Sequence, residues 1–167
     1  MEALKSKIKD LAKKYSEDIL KDRRHLHAHP ELSFQEHETV KYVEGRLKSF
    51  GVELQERAAD TGLVVLIKGK NPESKTVALR ADMDALPITE ANEVPYKSTN
   101  EGVMHACGHD VHTSSLLGTA RILNELKDEF EGTFKLLFQP GEEKIPGGAS
   151  LMIKDGVLKN PNPASMI

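Results

Sequence analysis

Apolar side chains recur every three or four positions at the start of the chain, at Leu4, Ile8, Leu11, Tyr15 and Ile19, with Lys and Glu filling the positions between. That spacing puts one apolar stripe on an amphipathic helix, predicted to run to about His27. His29-Pro30 ends it, because the residue before a proline is pushed out of the helical region. Ser33 followed by Glu36 has the form of a capping box and predicts a second helix through Val40, Val43, Leu47 and Phe50, with Gly51 as its left-handed stop.

After Gly51 the period shortens. Residues 52–54, 63–67 and 76–79 are short β-rich runs, the last two separated by a Gly69-Lys70-Asn71-Pro72 turn. These last two are unbroken apolar runs, the pattern of strands covered on both faces. From Ala81 to His109 no periodicity survives, which predicts long loops of the kind that carry function. Leu116, Leu117, Ala120, Ile122, Leu123 and Leu126 then predict a helix from about Thr113 to Leu126, and residues 133–138 a strand running into Gln139-Pro140-Gly141. A further helix passes through Leu151, Met152 and Ile153 to a stop at Gly156, and residues 162–167 have the look of an opening strand. This order predicts an α/β fold: three layers, a mostly parallel or mixed sheet with helices on both faces.

Composition narrows the function classes. The 167 residues carry 23 Lys+Arg against 26 Asp+Glu, a net charge of −3, with both signs interspersed, so nothing draws the chain to nucleic acid. A hydrophobic content of 38% with 29% charged residues is ordinary for a globular protein and excludes disorder. No apolar run approaches the ~18 residues a membrane helix needs, and the first residues lack a signal peptide's apolar region, so a cytoplasmic protein with no membrane partner is expected. The single cysteine, Cys107, rules out an intrachain disulfide and is therefore free, metal-bound or catalytic.

Three groups of chemically capable residues follow predicted strands, along one edge of the sheet, where α/β folds build their sites. Asp82-Met83-Asp84 comes directly after the strand that ends at Arg80; Glu142-Glu143 comes after the strand that ends at Gln139-Pro140. Between them, His105-Ala106-Cys107-Gly108-His109-Asp110-Val111-His112 packs three His, one Cys and one Asp into eight residues. Cys107 and His109, with Gly108 between them to turn tightly, can both face one cation, whereas a structural zinc site would need a second Cys/His pair. The rival use of the same residues is a cysteine nucleophile with a histidine base. Of two adjacent glutamates after a Pro-Gly turn, one suits a metal and the other a proton taken from water. His25, His27 and His29, split across a helix end, are expected to be structural.

At these residues the chain resembles the metal-dependent amidohydrolases of the aminoacylase/carboxypeptidase superfamily, among them hippurate hydrolase, N-acyl-amino-acid amidohydrolases, N-acetyldiaminopimelate deacetylase and plant auxin-conjugate hydrolases. The likeness rests on Arg23-Arg24, on residues 29–33 and 79–88, on 104–110 with His112, and on Phe138-Gln139-Pro140-Gly141-Glu142-Glu143 followed by Gly147-Gly148-Ala149. It implies a zinc-peptidase-like catalytic domain that hydrolyses the amide bond of a small N-acyl amino acid. Cys107, His109 and Glu143 become ligands of a two-metal centre (Mn, Zn, Co or Ni), with Cys107 as a bridging thiolate. Glu142 becomes the general base toward a metal-activated water and later protonates the leaving amine. Asp82, at a position where other branches of the superfamily carry a metal-binding histidine, is not expected to be a ligand; Asp82, Asp84, Asp110 and His112 are expected to support the site.

The resemblance also implies that residues 1–167 are the N-terminal part of that catalytic domain, with a lid or dimerisation domain, the rest of the catalytic domain and two further metal-binding histidines lying outside it. Such a portion is expected to hold fewer ions or none, to be weakly active or inactive alone, and to self-associate through an open sheet edge. A metal-binding remnant without catalysis and a cysteine hydrolase using Cys107 are the alternatives.

Overall fold

Five strands form one mixed sheet in the spatial order β1 (Leu54–Ala58), β2 (Gly62–Lys68), β4 (Thr133–Gln139), β3 (Thr76–Asp82) and β5 (Ser165–Met166) in a computed structural model that describes residues 2–167. β2 runs antiparallel to both β1 and β4; β3 runs parallel to β4 and to β5. Among the described residues four α-helices pack with the sheet: α1 (Glu2–Ala28), α2 (His37–Ser49), α3 (His109–Glu125) and α4 (Gly148–Lys154). Among the described residues no helix is long and apolar enough to cross a membrane.

The period-two alternation of the strands sorts their side chains into two cores. Leu63, Val65, Ile67, Leu136 and Phe138 pack against Val40, Val43 and Leu47 of α2 and Leu116, Leu117 and Ala120 of α3. On the other face Val64, Ala78 and Leu137 meet Met152 of α4 and Val157 beyond it. The three layers are those predicted, and truncating a fully buried side chain such as Leu117 carries a cost of about 2–5 kcal/mol. α1 lies outside α3, joined to it by Arg121 on Asp18 (2.8 Å) and by the Tyr15 hydroxyl on the Glu125 carboxylate. Lys135 of β4 is buried on the α4 side, where its Nζ donates to the carbonyls of Val157 (2.7 Å) and Lys159 (2.8 Å) and secures the segment after α4.

Four local expectations differ from what the chain does. β1 lies at Leu54–Ala58 rather than 52–54: it is an edge strand whose sequence, LQERA, carries no apolar run, and its partner β2 defines it. β3 continues through Asp82, two residues past Arg80. α3 starts at His109 rather than near Thr113, because its first turn buries the polar residues His109 and Asp110 and so hides from an apolar count. The predicted capping box does not form. Ser33 donates instead to Asp84 (2.6 Å), and the buried Glu36 carboxylate accepts from the N–H groups of Phe34 (3.0 Å) and Gly141 (2.7 Å) and the Thr61 hydroxyl (2.6 Å). Glu31 serves the start of α2, accepting from the N–H groups of Glu38 (3.2 Å) and Thr39 (2.7 Å).

Candidate metal centre

Parallel pairing of β3 with β4 sets Asp82 opposite Gln139, so the two strands end side by side and the acidic pairs that follow them become neighbours. The loop after β4 is closed by the Gly148 N–H on the Gly141 carbonyl (2.9 Å), an approach so tight that a Cβ on Gly148 would meet the Pro140 carbonyl oxygen at 1.6 Å. Glu142 and Glu143 stand at the mouth of that closed loop. From the third side comes the start of α3, where Gly108, with φ of +105°, makes a turn that L side chains rarely adopt and swings His109 inward.

Asp84 organises the junction. Its Oδ2 accepts from the Ser33 hydroxyl (2.6 Å) and the Glu143 N–H (2.9 Å), and its backbone carbonyl accepts from Nδ1 of His109 (2.9 Å). Burial by itself would raise the Asp84 carboxyl, but hydrogen bonds from His109, Ser33 and the Glu143 and Glu142 backbone outweigh it and hold the group at about 2. A carbonyl only accepts, so Nδ1 of His109 carries a proton and Nε2 is the ring's outward ligand atom, 4.0 Å from a Glu142 oxygen. Burial lowers the His109 ring, but the Asp84 carboxylate and carbonyl overcome it and lift the ring to about 9.

The ligand atoms of Cys107, His109 and Glu143 all lie within 4.8 Å of one another. A sulfur, an imidazole nitrogen and a carboxylate oxygen meeting at one place suit a borderline divalent ion. Cys107 is exposed, and the hydrogen bond to Glu143, with burial and the charges of Glu142 and Asp82, pushes its thiol up. Glu142 is partly exposed beside this cluster and available for proton transfer. Asp82 and His112 form a second group with His109 within the same 4.8 Å limit.

Asp110 sits behind the centre. Its carboxylate meets Arg23 Nε (2.9 Å) and His27 Nδ1 (2.7 Å), and His27 Nε2 meets Glu90 (3.0 Å). Glu90 in turn accepts from the Ser98 N–H (2.7 Å), so α1, the 90–98 loop and the start of α3 share one buried network. His27 is thus structural, as expected. Glu31, Ser33, Glu36 and Glu90 are supports that the sequence does not assign; Ser33 and Glu36 carry a helix-cap spacing, and Glu31 and Ser33 lie in the 29–33 likeness. His105 is buried with no hydrogen-bond partner on either ring nitrogen, and burial drives it down to about 4, a neutral ring.

The model of peptidase family M20/M25/M40 matches residues 78–167, the span that holds every residue of this cluster. The chain belongs to that family. Among M20 relatives, an N-acyl-L-amino acid amidohydrolase of Geobacillus stearothermophilus is 49% identical over 154 residues, covering 92% of this chain and 41% of the relative. A hippurate hydrolase of Campylobacter jejuni is 49% identical over 139 residues, 83% of this chain and 35% of that protein. The crystal structure of the Bacillus subtilis YXEP protein, described as a dinuclear metal binding peptidase of the M20 family, superposes with a TM-score of 0.85 at 41% identity over 92% of this chain and 42% of that one. The chain therefore spans about two-fifths of the length of these M20 proteins.

Proposed function

We propose that this chain contributes to the metal-dependent hydrolysis of an amide bond in small N-acyl amino acids, with Cys107, His109 and Glu143 as metal ligands and Glu142 as general base. The observation that carries this reading is the convergence of those three ligand atoms within 4.8 Å beside the free carboxylate of Glu142. Divalent ions of the Mn, Zn, Co or Ni type, two in a complete M20 enzyme, would supply Lewis-acid polarisation of the amide carbonyl. Glu142 takes a proton from the attacking water as its oxygen bonds to the acyl carbon. As the C–N bond breaks, the same carboxyl returns that proton to the leaving nitrogen, giving a carboxylic acid and a free amino acid. Asp84 aims His109 and, through the Glu143 N–H, fixes the loop that carries both glutamates.

On this reading residues 1–167 are the N-terminal part of an M20 catalytic domain, in keeping with a span of about two-fifths of its relatives. Three protein ligands serve one ion and underfill a two-ion centre, so turnover by this chain alone is expected to be weak. A lone, unpaired cysteine fits a reducing, cytoplasmic setting. The test is hydrolysis of N-acetyl and N-benzoyl amino acids by the 167-residue chain with each of the four ions, alongside Glu142→Gln. Slow metal-dependent hydrolysis that disappears in Glu142→Gln, with bound metal unchanged, is expected. Hydrolysis that persists without metal, or survives Glu142→Gln, would overturn the assignment.

A further inference from the structure

Asp82 ends β3 and His112 lies one turn along α3 from His109, so the two histidines share a helix face and Asp82 comes up against it. The contact is held by the backbone, because the Thr113 hydroxyl donates to the Asp82 carbonyl (2.9 Å). The Asp82 Oδ2 stands 3.6 Å from Nδ1 of His112 and 3.3 Å from an Arg80 nitrogen. Its other oxygen, Oδ1, is buried and has no hydrogen-bond partner. A buried carboxylate oxygen left without a donor is costly, and a bound cation is one of the few ways to satisfy it.

We propose that Asp82, His109 and His112 form a second divalent-cation subsite of imidazole–carboxylate chemistry, separate from Cys107 and Glu143 and sharing with them only His109. Two imidazoles and one carboxylate make a three-ligand set of the kind that holds zinc with a position left open, and without a thiolate it also suits Ni²⁺, Co²⁺ and Mn²⁺. Nδ1 of His109 is committed to the Asp84 carbonyl, so a single ring nitrogen serves both groups and they compete for it. One ion on this chain therefore has two three-ligand positions, one with sulfur and one without. The subsite goes beyond the proposed hydrolysis and does not depend on it.

Cobalt(II) separates the two positions, because only the Cys107 position gives a sulfur-to-cobalt charge-transfer band. Co²⁺ is titrated into the 167-residue chain, Cys107→Ala, Cys107→Ala/His112→Ala and Cys107→Ala/Asp82→Asn, with circular dichroism verifying the fold of each. His112 is half-exposed, and its removal leaves the packing alone. Cys107→Ala is expected to retain one Co²⁺ per chain with no sulfur band, and each added substitution to weaken that binding at least tenfold. Cys107→Ala that binds no cobalt, or double variants that bind as well as Cys107→Ala, would overturn the subsite. The fate of the Cys107 centre is read separately: a sulfur band in the unmodified chain with an empty Cys107→Ala supports that centre while the subsite falls. Cobalt held without a sulfur band and released by His112→Ala supports the subsite while the Cys107 centre falls.

Discussion

His109 and Cys107 are two residues apart and belong to the same candidate centre, yet they sit in opposite physical settings. The His109 ring is buried and aimed by Asp84, which is itself tied to Ser33 and to the Glu143 backbone. Cys107, Glu142 and Glu143 are exposed side chains whose partners are mostly one another. One half of the centre is therefore built into the core of the fold, while the other is a set of exposed groups at the surface. The difference teaches that stability and metal binding are separable here: the buried half should answer to both, the open half to metal alone.

Asp84→Ala attacks the buried half and is expected to have the largest effect. It strips the partners from Ser33 and the Glu143 N–H and removes the carboxylate beside the His109 ring, whose Nδ1 keeps only the backbone carbonyl, costing about 3–5 kcal/mol in urea unfolding and lowering zinc affinity by about 10–100-fold. Cys107→Ala is the contrasting change: it should weaken zinc binding while leaving stability within about 0.5 kcal/mol. Equal loss of stability in the two variants would erase the distinction between the halves.

Glu36 sharpens the comparison without touching a ligand, because its carboxylate joins the approach to α2, the β1–β2 turn and Gly141 beside the glutamates. Glu36→Ala leaves buried donors unpaired and is expected to cost about 2–3 kcal/mol. Glu36→Gln keeps an acceptor for the two N–H groups and can donate its amide to Thr61, so its cost should be under about 1 kcal/mol. Thermal melts of the pair separate hydrogen bonding from charge.

Glu90 gives a smaller effect than Asp84 or the loss of the Glu36 carboxylate, with a pH signature. Burial would raise its carboxyl, but the Ser98 N–H, His27 and Asn92 outweigh it and bring the group from 4.5 down to about 2. A carboxyl held lower in the folded chain than in the unfolded one contributes stability above pH 4.5, lost as the pH falls from 4.5 toward 2. Glu90→Gln should destabilise the chain by about 1–2 kcal/mol at pH 7 and flatten the loss of stability across that window. An unchanged acid profile would remove Glu90 from the network behind Asp110.

Much of this was legible in the sequence. The helices and central strands announce themselves by period, and Cys107, His109, Glu142 and Glu143 by their density after strands. What stayed hidden is polar and buried. The first turn of α3 is hidden because His109 and Asp110 stand where an apolar count looks for hydrocarbon, and β1 because an edge strand need not be apolar. Ser33 and Glu36 carry a helix-cap spacing, but their side chains bond across the fold to Asp84, Thr61 and Gly141, contacts that no local pattern encodes. Asp82 and His112, placed by resemblance in a supporting role, meet at one spot only because β3 and α3 are adjacent.

X-ray absorption at the zinc edge, on the chain loaded with one equivalent of Zn²⁺, tests the central claim most directly. One sulfur neighbour at about 2.3 Å together with nitrogen and oxygen at about 2.0–2.2 Å is predicted, the sulfur vanishing in Cys107→Ala. A shell of nitrogen and oxygen alone in the unmodified chain would contradict the assignment of Cys107, His109 and Glu143 as the metal centre.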